Sequence, residues 1–276
     1  MSPDGHGSYP AVKEIKLKSG LIMTYRDMGV GPVVIFLHGS GPGASGHSNF
    51  KLNYPIIAEE GYRTIVPDMI GFGGSSKPSD IHYVLDFFRD TLLEFFSALG
   101  IDRCTLVGNS LGGAIAIATT LKRPELVEKL VLMAPGGVES RWAYFRMPAM
   151  RKMVSGFIGS GFDREGLGRL LSLLLFDPKH ATDELIDERL EVLKTQPKEV
   201  LSTMRVQDMS EDLPSLMCPI LGFWGVDDEF NPVSGAMKIV SACPNARMTL
   251  FAKCGHWVMV EYTDAFNRAV LDFLAE

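Results

Sequence analysis

The 276-residue chain carries only four cysteines, no C-x-x-C pair, no long apolar run and no excess of positive charge. Each absence excludes something. Cys104, Cys218, Cys243 and Cys254 lack the spacing of a zinc site or a disulfide framework, so reduced, mostly buried thiols in a cytoplasmic protein are expected. Nothing approaches eighteen consecutive apolar residues, so no membrane partner is predicted. The opening Met1-Ser-Pro-Asp-Gly lacks the apolar stretch of a secretory signal. A formal net charge of −6 without any basic cluster argues against a nucleic-acid partner. No internal repeat or low-complexity tract is present. What remains, 46% hydrophobic and 22% charged residues, fits a globular chain with a substantial core.

The chain alternates between two patterns. Val12 to Met28 reads as an antiparallel hairpin at a sheet edge. Short apolar runs follow at Val33–Leu37, Arg63–Pro67, Cys104–Val107, Leu130–Met133, Ile220–Trp224 and Met248–Phe251, and read as buried strands. Helical periodicity lies between most of them, at Asp80–Leu99, Leu111–Leu121, Val233–Ser241 and Thr263–Leu274. The pattern predicts an α/β fold with a mostly parallel, eight-stranded sheet and helices on both faces. Between about residues 138 and 209 the alternation stops. Trp142, Tyr144, Phe145, Met147, Met150 and Met153 precede helical segments such as Glu184–Leu193, with no strand run. A core of residues 1–137 and 210–276, covered by a helical lid of 138–209 sealed on by its apolar residues, is expected.

Gly108-Asn-Ser110-Leu-Gly112 follows a buried strand run and opens a helix of small residues. This is the glycine-flanked serine of a nucleophile elbow, where a sharp turn leaves no room for neighbouring side chains. Such a pattern arises by chance in roughly one chain in ten of this length, so context must carry it. A serine hydroxyl needs a general base. Of six histidines, His6 falls in an N-terminal tail, and His38, His47, His82 and His180 precede the last two strands or lie in the insertion. His256 follows the final strand, where the carboxyl end of the sheet would set it over Ser110. Asp227 and Asp228 both close the preceding strand run and compete as the acid that orients the imidazole. Singly, Ser110 could be a helix cap and His256 a loop residue. Jointly they follow the order Ser, Asp, His, each just after a strand. Two backbone donors for an oxyanion are expected at Leu111 and at Ser40, in the loop His38–Ala44. Asp68 reads as a structural brace for that loop.

At this level of detail the sequence resembles the α/β-hydrolases, and more narrowly the meta-cleavage product hydrolases. The matching residues are His38-Gly-x-Gly-Pro-Gly-Ala44, Ser48-Asn49-Phe50, Gly108-Asn109-Ser110-x-Gly-Gly113, Ala134-Pro-Gly-Gly137 and Cys254-Gly-His-Trp257. Gly225-x-x-Asp228-x-x-x-Pro232 matches the acid loop of α/β-hydrolases and favours Asp228 over Asp227. The resemblance implies a Ser110–Asp228–His256 triad that splits the C5–C6 bond of 2-hydroxy-6-oxohexa-2,4-dienoates. It implies no metal or organic cofactor, and a homodimer or larger homo-oligomer. Arg189 falls where the family places its carboxylate-binding arginine, a role its planar guanidinium suits; read alone, it is an ordinary helix-surface arginine paired with Glu184 or Asp187. Asn49 and Asn109 would bind the same polar end, shaped by Trp257. Asn231, where many members carry an apolar residue, and Val-Met-Val-Glu after Trp257 depart from the pattern. A carboxylesterase using the same triad is the alternative function, and a non-catalytic ligand receptor the alternative of another class.

Overall fold

The computed structural model describes residues 9–149, 151–152 and 163–276. His6, Met150 and Met153 lie outside them. Eight strands form one sheet: β1 (Lys13–Lys16), β2 (Ile22–Met28), β3 (Val33–Leu37), β4 (Arg63–Pro67), β5 (Cys104–Asn109), β6 (Val127–Met133), β7 (Ile220–Gly225) and β8 (Ala246–Phe251). Their spatial order is β1-β2-β4-β3-β5-β6-β7-β8. β1 and β2 join antiparallel, as the hairpin pattern predicts, and β3 to β8 run parallel.

The apolar runs divide between the two faces by strand alternation. Ile35, Leu37, Leu106, Leu130, Leu132 and Ile220 pack with helices Leu85–Leu99, Leu111–Lys122 and Ser234–Ala242. Val34, Phe36, Val107, Val131, Met133 and Phe223 pack with helices Tyr54–Glu59 and Thr263–Ala275. The central strands are therefore buried on both sides, which is why their sequences are continuously apolar. β8 is different. It is an edge strand with exposed residues, so its apolar run overstates its burial.

Three details depart from the sequence expectations. The helix predicted from Asp80 begins at Leu85, because residues 83–84 are drawn out as extended chain against the insertion. Tyr83 N–H donates to Thr203 Oγ1 at 3.0 Å, and Leu85 N–H to the Arg205 carbonyl at 3.0 Å. Two short helices, Gly46–Phe50 and Tyr54–Glu59, follow the His38–Ala44 loop; the first is started by a reciprocal Ser45–Ser48 capping box. In the β6–β7 segment, which holds no named strand among the described residues, Trp142 (75% exposed) and Phe145 do not seal the surface. Leu167, Leu170, Leu171, Leu174, Leu185 and Ile186 do that instead. All four cysteines are free, three of them buried.

Candidate active site

The turn after β5 places Ser110 at φ 55, ψ −114, a left-handed conformation that costs a side-chain-bearing residue of order 1–3 kcal/mol. The surroundings enforce it. A Cβ at Gly112 would collide with the carbonyls of Leu37 and His38, and one at Gly108 would lie 2.5 Å from Gly112 O. Ser110 N–H donates to Met133 O at 3.0 Å, and Ser110 O accepts from Gly136 N–H at 2.9 Å, so the end of β6 holds the turn from the side. The Leu111 amide opens the helix Leu111–Lys122, where N–H groups lack intrahelical acceptors.

Asp228 is buried, and His256 Nδ1 lies 2.7 Å from its Oδ2. Its Oδ1 accepts the N–H groups of Phe230 at 2.8 Å and Asn231 at 3.0 Å, which fixes the carboxylate in its own loop. Asp227 is exposed, and its neighbour alone meets the histidine. Asn231, the polar departure, turns its amide to Ala134 O at 2.6 Å and accepts Trp224 Nε1–H at 3.1 Å. The acid loop is thereby tied to the same Met133–Gly136 segment that holds Ser110. His256 meets Asp228, while no hydrogen bond among the described residues joins Ser110 Oγ to His256. Asn109 links the two sides: its Nδ2 donates to His256 O at 3.3 Å.

Ser40 lies in the loop after β3, against the elbow; a Cβ on neighbouring Gly39 would sit 3.3 Å from Ser110 Cβ. The loop rests on His38 and Asp68. Met69 N–H donates to His38 Nε2 at 3.0 Å, so Nδ1 carries the proton and donates to Gly39 O at 2.8 Å. Complete burial, and the nearby Arg189 charge, push His38 below its usual range and keep it neutral. Asp68 Oδ1 accepts from Gly46 N–H at 2.8 Å and Oδ2 from Gly74 N–H at 3.0 Å, a bracing role as the sequence suggests.

Arg189 reaches this centre from the helix Asp183–Leu193 and is 1% exposed. It is not a surface arginine. Its guanidinium lies over the Trp257 ring at 4.8 Å, and Nη2 donates to Asn49 Oδ1 at 2.6 Å. No described carboxylate pairs with it; the ion pairs of Glu184 and Asp187 go to Lys51 and Arg164. Burial pushes its pKa down from 12.5 to about 10, against a smaller opposing pull from Glu188. Arg189 Nε and Asn49 Nδ2 are buried without a hydrogen-bond partner, as are Asn109 Oδ1 beside Ser110 and, elsewhere, Asn53 Oδ1 and Thr119 Oγ1. Buried polar atoms are usually paired, so each of these calls for an explanation.

The α/β hydrolase fold family matches residues 32–262 of the chain. A 2-hydroxy-6-oxo-6-phenylhexa-2,4-dienoate hydrolase from Burkholderia cepacia is 37% identical over 90% of both chains. The chain belongs to the meta-cleavage product hydrolases, within the α/β-hydrolase family. A 2-hydroxy-6-oxononadienedioate/2-hydroxy-6-oxononatrienedioate hydrolase from Comamonas testosteroni is 35% identical, again over 90% of each chain. A meta-cleavage product hydrolase from Pseudomonas fluorescens IP01, solved with acetates, superposes with a TM-score of 0.84 at 31% identity, covering 95% of this hydrolase and 97% of that chain.

Two residues that organise the site in this hydrolase escaped the sequence reading. Glu261 bonds three backbone amides around His256, and Gln196 ties the insertion to the loop after β3, accepting Gly43 N–H at 2.9 Å and donating to Gly71 O at 3.2 Å. Glu261 stands four positions after Trp257, a spacing that a short helical turn would have brought back toward the His256 loop. Gln196 carries no such signal.

Proposed function

We propose that this hydrolase cleaves the C5–C6 bond of 2-hydroxy-6-oxohexa-2,4-dienoates, giving 2-hydroxypenta-2,4-dienoate and a carboxylic acid. The observation that carries this reading is the buried Arg189 guanidinium, bonded to Asn49 and stacked on Trp257 next to His256, with no carboxylate partner among the described residues. An ester hydrolase needs no buried cation there. A dienoate brings a carboxylate that repays its desolvation.

In this mechanism Arg189 and the asparagines grip the carboxylate and the C2 oxygen. His256 moves a proton from the C2 hydroxyl to C5, converting the dienol to its keto form. The C1–C5 fragment becomes an electron sink, without which a carbanion could not leave. Ser110, deprotonated by His256 while Asp228 stabilises the imidazolium, attacks the C6 ketone. The amides of Ser40 and Leu111 hold the oxyanion. Collapse breaks C5–C6; the electron pair passes into the ketoacid fragment, whose C2 oxygen takes the proton from His256 to give the dienol, and the C6 acyl group stays on Ser110. Water, activated by His256, then releases the carboxylic acid and restores the serine. The same reading makes the enzyme cytoplasmic and at least a homodimer.

The test uses a 2-hydroxy-6-oxo-dienoate and follows decay of its visible dienolate absorbance, with nitrophenyl esters in parallel. Wild type should consume the dienoate, and Ser110→Ala should bind it without cleavage. Rapid ester turnover with no dienolate decay would overturn the carbon–carbon reading in favour of an esterase.

A further inference from the structure

The His256 loop is attached to the helical insertion as well as to the sheet. His256 N–H donates to Leu174 O at 2.7 Å, just past the helix Arg164–Leu173. The Glu261 carboxylate lies beside it and is shared. Oε1 accepts Gly255 N–H at 2.6 Å, while Oε2 accepts Phe176 N–H at 2.8 Å and Asp177 N–H at 3.0 Å. One carboxylate thus clips the residue before the histidine to the insertion by three charge-assisted bonds, roughly twice as strong as neutral ones. The contact is close: a Cβ on Gly255 would stand 2.7 Å from Leu174 O.

The far side of the insertion is fastened to the oxyanion loop. Gln196 bonds Gly43 and Gly71, and Arg189 Nη1 points at Pro42 O at 3.5 Å. At Gly43, with φ +66, the loop runs so near the Arg189 backbone that a Cβ would collide with it. The insertion therefore forms a bridge from the histidine to the loop of Ser40. The Asp228 loop has its own tie to β6 through Asn231 and Ala134, besides an Ala149 N–H to Glu229 O bond of 3.2 Å from the insertion.

We propose that Glu261 is a positioning residue: it fixes His256 relative to the oxyanion amides by locking its loop to the insertion. The proposal rests on the reading of His256 as the general base. A base displaced by about 1 Å can lose on the order of a hundredfold in rate without any change in what binds substrate. The Glu261 carboxylate bonds only the Gly255, Phe176 and Asp177 amides and no side chain assigned to the carboxylate end, so its loss should fall on kcat.

Glu261→Gln keeps the size but turns one oxygen acceptor into a donor facing N–H groups. Its kcat should fall about tenfold to a hundredfold with KM within about twofold of wild type, on dienoate and nitrophenyl ester alike. Hydrogen exchange at the His256 amide should quicken while the central strands keep their protection. Glu261→Asp, which retains the charge with a shorter reach, should fall between the two; if Glu261→Gln does not fold, Glu261→Asp carries the test. A kcat unchanged per folded molecule, or a loss explained by global unfolding, would overturn the proposal. Reading both substrates separates the two claims: ester turnover without dienolate decay in wild type sinks the carbon–carbon reading, while the effect of Glu261 is still measured on the ester.

Discussion

Replacing Arg189 by methionine should move stability and activity in opposite directions. Burial lowers the Arg189 pKa from 12.5 to about 10, which corresponds to roughly 3 kcal/mol against the charged form in the free protein. The folded pKa lies below the unfolded one, so this penalty is present at all pH below about 10 and fades only as the pH rises beyond it. Arg189→Met removes the charge at similar volume. It also strands Asn49 Oδ1, at a cost of about 1–2 kcal/mol. The balance is a gain of about 1–2 kcal/mol, which for a chain of this size raises Tm by roughly 2–4 °C per kcal/mol. The dienoate loses a desolvated, charged partner worth about 2–4 kcal/mol, so kcat/KM should fall roughly 30- to 1000-fold. Hydrolysis of a neutral nitrophenyl ester should change far less. The assay is dienolate decay against substrate concentration, with thermal unfolding on the same preparations. Wild-type dienoate kinetics in Arg189→Met would refute the carboxylate assignment, and a lowered Tm would refute the charge argument.

Two further outcomes follow from geometry and burial. Gly112→Ala forces a Cβ into the Leu37 and His38 carbonyls, so soluble yield should collapse or the unfolding free energy from urea titration fall by more than about 2 kcal/mol; a well-folded, active variant would contradict the elbow packing. His47 is pushed down to about 3 by burial, then by the charges of Arg26 and Lys51. The unfolded chain takes up that proton below about pH 6.5 and the folded one only near pH 3, so stability is lost progressively as pH falls through this window. His47→Gln should flatten the dependence of unfolding free energy on pH between 6.5 and 3, and an unchanged slope would exclude His47 as its source.

The fold was legible because burial on both faces of β3 and β5 to β7 leaves continuous apolar runs, and because crossover helices separate them. Helix starts were less so: Leu85 rather than Asp80 opens its helix because Thr203 and Arg205, distant in sequence, capture the preceding chain. The Ser110 turn was legible because strain and crowding demand glycine at fixed offsets. Asp228 separated from Asp227 only through the acid-loop pattern; composition treats the two alike. Arg189 read locally as a surface helix residue because acidic Glu184 and Asp187 lie near it in sequence, although they stand five and two positions away rather than three or four. Only tertiary structure gives those carboxylates to Lys51 and Arg164 and buries the guanidinium. Glu261 and Gln196 act through backbone groups of remote loops, contacts that leave no periodic trace in sequence.

Ser110 and the Asp228 loop are both anchored on residues 133–136, at the end of β6. A displacement of that strand end carries nucleophile and acid together and leaves their spacing nearly intact. His256 follows β8, beyond the Asp228 strand, and its loop is held by the insertion as well as by the Asp228 loop. Warming or crowding that shifts the insertion against the sheet is therefore felt first at His256, with Ser110 still in place.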